Sequence, residues 1–273
     1  MDAALREFRD LVRRREPEID LARAALIVAR LEHPGLDVEH ELARLDRLAT
    51  RSRAGGGRAD EALARLREFL FDEEAFRGNA ENYYDPRNSC LNDVLDRKLG
   101  IPITLSLLMM EVGRRVGLDI AGVGLPGHFI VGVALRGRRL FLDPFHGGRE
   151  LTADAARDVV SRAVGRPVKL EPSHWTPCTK PQILVRMLRN LKTIYAKQAQ
   201  WERALAVVDR LLVLEADSPT HRRDRGTVLV RLGRLWEGAV EWERYLTAHP
   251  GVHDADTFRQ ELRRVRQELG SRN

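Results

Sequence analysis

His128 and Asp143 are the residues of this chain best placed to do chemistry. His128 follows Pro126-Gly127 and opens the apolar run Phe129-Ile130-Val131, while Asp143 closes Arg139-Leu140-Phe141-Leu142. Period-two patterning makes the two runs neighbouring strands, which sets an imidazole beside a carboxylate. An imidazole held in this way acts as a general base, or as the partner of a cysteine nucleophile in acyl transfer or amide hydrolysis. A plainer role is also open: a buried, mutually satisfied pair that fixes strand register. His146, three residues past Asp143 in Pro144-Phe145-His146-Gly147-Gly148, is close enough in sequence to join them. A metal site from His128, Asp143 and His146 is conceivable, but an Asp and a His three apart in a Gly/Pro loop are weak evidence for one, so neither a metal nor a cofactor is expected. The glycines of Gly122-Val123-Gly124-Leu125-Pro126-Gly127 lead into a strand, which excludes a dinucleotide-binding turn.

The elements that must position these residues fall into three stretches. Residues 1–77 read as helical, with Leu21, Ala24, Ala25, Val28 and Leu31 on one face and Leu42, Leu45 and Leu48 on another. Pro17 reads as a helix start, His33-Pro34-Gly35 as a stop, and Asp60 to Phe71 as a further helix. Residues 78–180 change character. Asn82 to Ser89 is turn-rich, Asn88 or Ser89 is expected to cap a helix running to Leu99, and Pro102 opens the next helix, Thr104 to Val116. After Gly117 the period becomes two, and Arg136-Gly137-Arg138 reads as a hairpin turn. Helices followed by a hairpin predict an α+β core. Residues 181–273 are helical and repeat: Tyr195, Trp201 and Ala204 recur thirty-five residues later as Val230, Trp236 and Ala239, with Pro219 and Pro250 closing two units. That period resembles the tetratricopeptide repeat, and a last helix spans Asp254 to Leu269. A stack so short is expected to pack on the core.

Composition narrows the function classes. The chain has 273 residues, 43% of them hydrophobic and 32% charged, enough for a sizeable core. The net charge is +6, but the 40 acidic residues are interleaved with 46 basic ones at helical spacing. Clusters such as Arg13-Arg14-Arg15 lack interleaved aromatics and read as solvated helix faces, not as a nucleic-acid surface. Two cysteines, Cys90 and Cys178, exclude a disulfide framework and a cysteine-based zinc site. The run Leu21 to Leu31 is too short and too charged to span a membrane. Asp2, Glu7 and Asp10 argue against a signal peptide, so the expected location is cytoplasmic.

Four motifs in order carry a resemblance: Asn88-Ser89-Cys90-Leu91-Asn92-Asp93-Val94-Leu95, then Gly100-Ile101-Pro102-Ile103-Thr104-Leu105-Ser106-Leu107, then Gly117-Leu118, then Pro126-Gly127-His128-Phe129. Together they resemble the transglutaminase-like core of the SirB-type bacterial proteins, which tetratricopeptide repeats follow. The resemblance implies a papain-like α+β core with helical regions on both sides. It also implies a catalytic cysteine at the start of the helix before the histidine strand, with His128 and Asp143 completing the set. There the helix dipole and imidazolium would stabilise a thiolate.

No cysteine stands there. Thr104 and Ser106 are the hydroxyls near that helix start, and either reads as a cap or a backbone hydrogen-bonding group. Cys90 has the right chain order and its own helix start, but lies one helix earlier; Cys178 sits in a linker. The expected function is therefore a pseudoenzyme: a non-catalytic binding or scaffold protein that takes a protein or peptide through the repeats or the core cleft. Asn88, Thr104, Ser106, Pro126, Gly127, Phe129 and His146 would line that cleft with His128 and Asp143. The alternative is a cysteine-dependent amidase or acyltransferase using Cys90, His128 and Asp143.

Overall fold

In the computed structural model, residues 3–135 and 137–271 are described; the Asp2 and Arg136 readings lie outside them. Along the chain run helices α1 (Ala3–Val12), α2 (Leu21–Ala29), α3 (Val38–Ser52) and α4 (Ala59–Arg67), strand β1 (Arg77–Gly78), helix α5 (Leu91–Arg97), strand β2 (Leu99–Gly100) and helix α6 (Pro102–Arg115). Strands β3 (Ile120–Leu125), β4 (His128–Leu135), β5 (Arg138–Asp143) and β6 (Arg149–Glu150) follow, then helices α7 (Ala153–Val164), α8 (Lys180–Lys197), α9 (Trp201–Leu214), α10 (Pro219–Arg231), α11 (Leu235–Ala248) and α12 (Ala255–Ser271). The fold is α+β with a helical repeat region, as the patterning predicts. No described helix is long and apolar enough to cross a membrane.

Two compact units form: Arg14–Met187, and Met1–Arg13 with Leu188–Asn273. In the first, β3-β4-β5-β6 make an antiparallel meander. Pro126-Gly127 joins β3 to β4 directly, pairing Leu125 with His128. Proline first and a glycine at φ 65° second is the type II turn pattern, and only glycine takes that φ without cost. Val123, Leu125 and Ile130 pack with Ala156 and Val160 of α7, while α6 covers β3 and β4 and in turn meets α3. β4 is therefore buried on both faces from His128 to Val133, not on one face only.

Several local boundaries depart from the sequence reading. Pro17 opens a short 3-10 turn (Glu16–Glu18), and α2 begins later, capped by Asp20, which accepts from the Arg23 amide. The helix expected to run to Phe71 leaves α geometry at Arg67 and continues as a π turn, Glu68–Glu73. Pro86–Ser89 form another 3-10 turn capped by Asp85, so Cys90, rather than Asn88 or Ser89, is the N-cap residue of α5. That helix stops at Arg97, because Leu99–Gly100 pairs in parallel with Arg77–Gly78.

The second unit holds the repeats. Ala204 and Ala239, the small residues at equivalent positions, are buried, and so is Tyr195; Trp236 is 68% exposed. Pro219 opens α10 at its first turn, with Ser218 as the cap, and so starts a helix where the sequence reading had it end a unit. The polar seams are paired: Arg225 bonds Asp209 (2.7 Å) and Glu241 (2.9 Å), and Arg223 bonds Asp254 (2.7 Å).

His221 is 1% exposed, and its Nε2 lies 2.6 Å from Glu215 Oε2. Its Nδ1 is buried without a hydrogen-bond partner, so a proton there would find no acceptor. Burial pulls the His221 pKa below its ordinary value, against the Glu215 hydrogen bond, which raises it. The unfolded chain thus takes up a proton near 6.5 before the folded chain does, and stability falls as pH drops through that value. Urea unfolding should show a midpoint that declines from about pH 7 to about pH 5, a slope that His221→Phe flattens.

Candidate functional site

Asp143 is the centre of the site. It ends β5, has no exposed surface, and collects its hydrogen bonds from three directions. Its Oδ2 faces His128 Nε2 at 3.0 Å and His146 Nδ1 at 2.7 Å, while Oδ1 accepts from the Phe145 amide at 3.1 Å. Burial alone would raise the carboxyl's pKa. The hydrogen bonds and charges of His128 and His146 outweigh it and hold Asp143 well below the usual carboxylate range. With Nε2 donating to this carboxylate, the neutral His128 ring carries its lone pair on Nδ1, and His146 by the same argument on Nε2. His128 is 5% exposed, and the His146 side chain is 40% exposed. His128 packs edge-on to Phe145 at 6.1 Å, which in turn meets Tyr83 at 6.2 Å.

The short 3-10 turn Pro144–His146 makes this convergence possible, since it turns the chain back toward the carboxylate it has just left. Gly147 and Gly148 follow at φ 73° and 66°, values open to glycine at little cost. Gly78 in β1 seats the turn: a methyl there would lie 2.5 Å from the Phe145 ring.

A second polar knot lies at the start of α6. Thr104 Oγ1 donates to the Asn88 carbonyl at 2.6 Å and accepts from the Ile101 amide at 3.1 Å. Asn88 Nδ2 donates to the carbonyls of Asn82 (2.7 Å) and Tyr83 (3.3 Å), and Asn88 Oδ1 accepts from Asn79 at 3.0 Å. Thr104 and Asn88 have no exposed surface, so both side chains are spent on holding the 79–88 loop against α6. Ser106 is also fully buried, its hydroxyl without a hydrogen-bond partner. Cys90 is 1% exposed, and its Sγ points to the Pro86 carbonyl at 3.7 Å. Cys178 is half-buried; its amide bonds the Gly122 carbonyl at 2.8 Å, and burial pushes its thiol up.

The structure thus brings His128, Asp143 and His146 together, and separately ties Asn88 to Thr104. Pro126 and Gly127 form the turn before His128, and the Phe129 ring lies beneath Gly122, where an added methyl would meet it at 2.7 Å. Arg186, which no sequence motif marks, belongs here too. Its Nη2 donates to the carbonyls of Leu125 (2.7 Å) and His128 (2.5 Å), and its guanidinium stands 5.3 Å over Phe129. At 58 residues from His128, it left no local signal to read.

Two substitutions test these supports. Thr104→Val keeps the shape but leaves the Ile101 amide and the Asn88 carbonyl only their long mutual hydrogen bond of 3.4 Å, and should cost about 1–3 kcal/mol in denaturant unfolding. Gly78→Ala should displace Phe145, cost about 1–3 kcal/mol, and shift the imidazole NMR signals of His128 and His146.

Comparison with known proteins follows the same division of the chain. Residues 37–189 match the transglutaminase-like superfamily, and residues 191–263 match the tetratricopeptide repeat. A UPF0162 protein of Xylella fastidiosa is 36% identical over 258 residues, covering 89% of each chain. One from Vibrio cholerae is 28% identical over 235 residues, covering 85% of this chain and 86% of its own. One from Pseudomonas aeruginosa is 30% identical over 196 residues, covering 71% and 72%.

Proposed function

Because the chain belongs to the transglutaminase-like superfamily and to the UPF0162 proteins of bacteria, we propose that it is a non-catalytic binding or scaffold protein of the cytoplasm, whose cleft at His128 and Asp143 receives a peptide-like ligand. The observation that carries this reading is the state of Thr104. It stands at the helix start where the superfamily resemblance calls for a thiol, and its hydroxyl is fully buried and donates to the Asn88 carbonyl. To attack a substrate, this hydroxyl would have to break that bond, lose a proton at a far higher pKa than a thiol's, and meet a carbonyl with no open surface around it. Ser106 is buried as deeply.

Without a nucleophile, the imidazole–carboxylate assembly is suited to recognition. The His128 ring is held rigidly by Asp143, and its remaining nitrogen accepts a hydrogen bond from an amide N–H. His146 offers a polar edge at the exposed side, and Phe145 with Tyr83 supplies an aromatic wall. Such an alternation of apolar wall and fixed polar groups is how peptide-like ligands are oriented. Tetratricopeptide repeats generally mediate protein interactions, so the repeats supply a second place for a protein partner.

The second reading is a cysteine-dependent amidase or acyltransferase using Cys90, His128 and Asp143. The position of Cys90 as the N-cap residue of α5 favours it. Against it stands a thiol 1% exposed and turned to the Pro86 carbonyl.

Iodoacetamide labelling across pH separates the two. Cys90 should alkylate slowly, with the pH profile of an ordinary thiol, unchanged by His128→Ala. Incubation with glutamine peptides and an amine should release no ammonia. Peptides selected from a random library on the native protein should lose affinity at least tenfold on His128→Ala, the fold remaining intact by circular dichroism. A Cys90 profile shifted toward low pH, and abolished by His128→Ala, would establish the enzyme reading instead.

A further inference from the structure

We propose that His128, Asp143 and His146 form a binding site for a divalent first-row transition ion, with zinc the natural occupant. Sequence spacing alone gave no such signature; the 3-10 turn creates it by folding His146 back onto Asp143. One ligand atom from each residue lies within 4.8 Å of the others. An ion bound tetrahedrally through bonds of about 2.0–2.1 Å spaces its ligand atoms by about 3.3 Å. The carboxylate oxygen stands 3.0 Å from His128 Nε2 and 2.7 Å from His146 Nδ1, so two edges of the polyhedron open by about half an ångström or less while the third, between imidazole nitrogens within 4.8 Å of each other, closes. Each ring nitrogen that takes the ion gives up its proton, which the neutral ring carries on its other nitrogen.

The donor set selects the class of ion. Two imidazoles with one carboxylate suit zinc, iron, cobalt or nickel, whereas calcium and magnesium call for all-oxygen cages. The supporting shell is in place as well. Phe145 N–H holds Oδ1, which orients Asp143 and presents Oδ2 to the site. Arg186 fixes the His128 backbone through its carbonyl. His128 and Asp143 are the buried members, while His146 is 40% exposed and stands on a turn followed by Gly147 and Gly148. His146 is therefore the side chain free to adjust as the ion enters, and its exposed side is where a fourth ligand, water or a ligand oxygen, would bind. The site rests on the cleft reading only for that fourth ligand.

Metal titration of the full-length chain, with no peptide present, tests the site independently of that reading. Cobalt(II) added to metal-stripped protein should bind at one ion per chain, with the intense visible absorption of four-coordinate cobalt, and zinc should displace it. His146→Ala, a change at a half-exposed side chain, should weaken binding at least tenfold, with the fold checked by circular dichroism; Asp143→Asn should weaken it as well. His33→Ala and His40→Ala should have no effect. Absence of binding below millimolar cobalt or zinc, or unchanged affinity in His146→Ala, would overturn the proposal. Peptide selection on the metal-free protein reports on the cleft whichever way the titration falls.

Discussion

A carboxylate with no exposed surface has to be compensated, and Asp143 is compensated wholly by its neighbours. Moving an ion of this kind out of water costs several kcal/mol even after relaxation, and a surrounding set of donors must return it. Here the donors come from β4 (His128), from the turn after β5 (Phe145 N–H) and from its last residue (His146). Each constrains the backbone that carries it. The register of β4 against β5, the tight turn at Pro144–His146 and the seating of Phe145 against Gly78 are all conditions for the same charge to be buried.

The knot at Thr104 does for the helices what Asp143 does for the sheet. The amide of Ile101 at the head of α6, the carbonyl of Asn88 and the loop from Asn79 to Tyr83 are closed by two side chains, with few polar groups left over. The α6 start is thereby rigid, dry and committed to structure. Where the superfamily resemblance calls for a thiol, this chain carries a hydroxyl that fastens α6 to the preceding loop.

The α+β core, the repeats and the pairing of His128 with Asp143 were legible in the sequence, because each rests on a periodic pattern or a local turn. The SirB-type resemblance, carried by four ordered motifs, agrees with the UPF0162 relatives. What was not legible depends on partners far along the chain. Thr104 meets Asn88 across 16 residues, Arg186 meets His128 across 58, and β2 ends α5 by pairing with β1. Local signals also misled where two conformations share them. Proline suits the first turn of a 3-10 or an α-helix alike, so Pro17 marks a turn rather than the expected helix start, and Pro219 opens a helix where it was expected to close a repeat unit.

The same energetics govern how much a histidine–aspartate pair says about catalysis. Removing one partner of a buried, hydrogen-bonded charge pair costs about 3–5 kcal/mol, a large share of a typical domain's stability. Neither Asp143 nor His128 is released cheaply, whether or not a nucleophile faces them, because the charge would remain and its donors would not. The pair is thus required by the fold whether or not it does chemistry, and its presence alone carries little weight for an enzyme. The weight falls on groups that stability does not require. Thr104 is not one of them, since its hydroxyl is needed where it is. His146 is the half-exposed one of Asp143's donors: at the end of a glycine-followed turn, it offsets the buried charge and also reaches the mouth of the site.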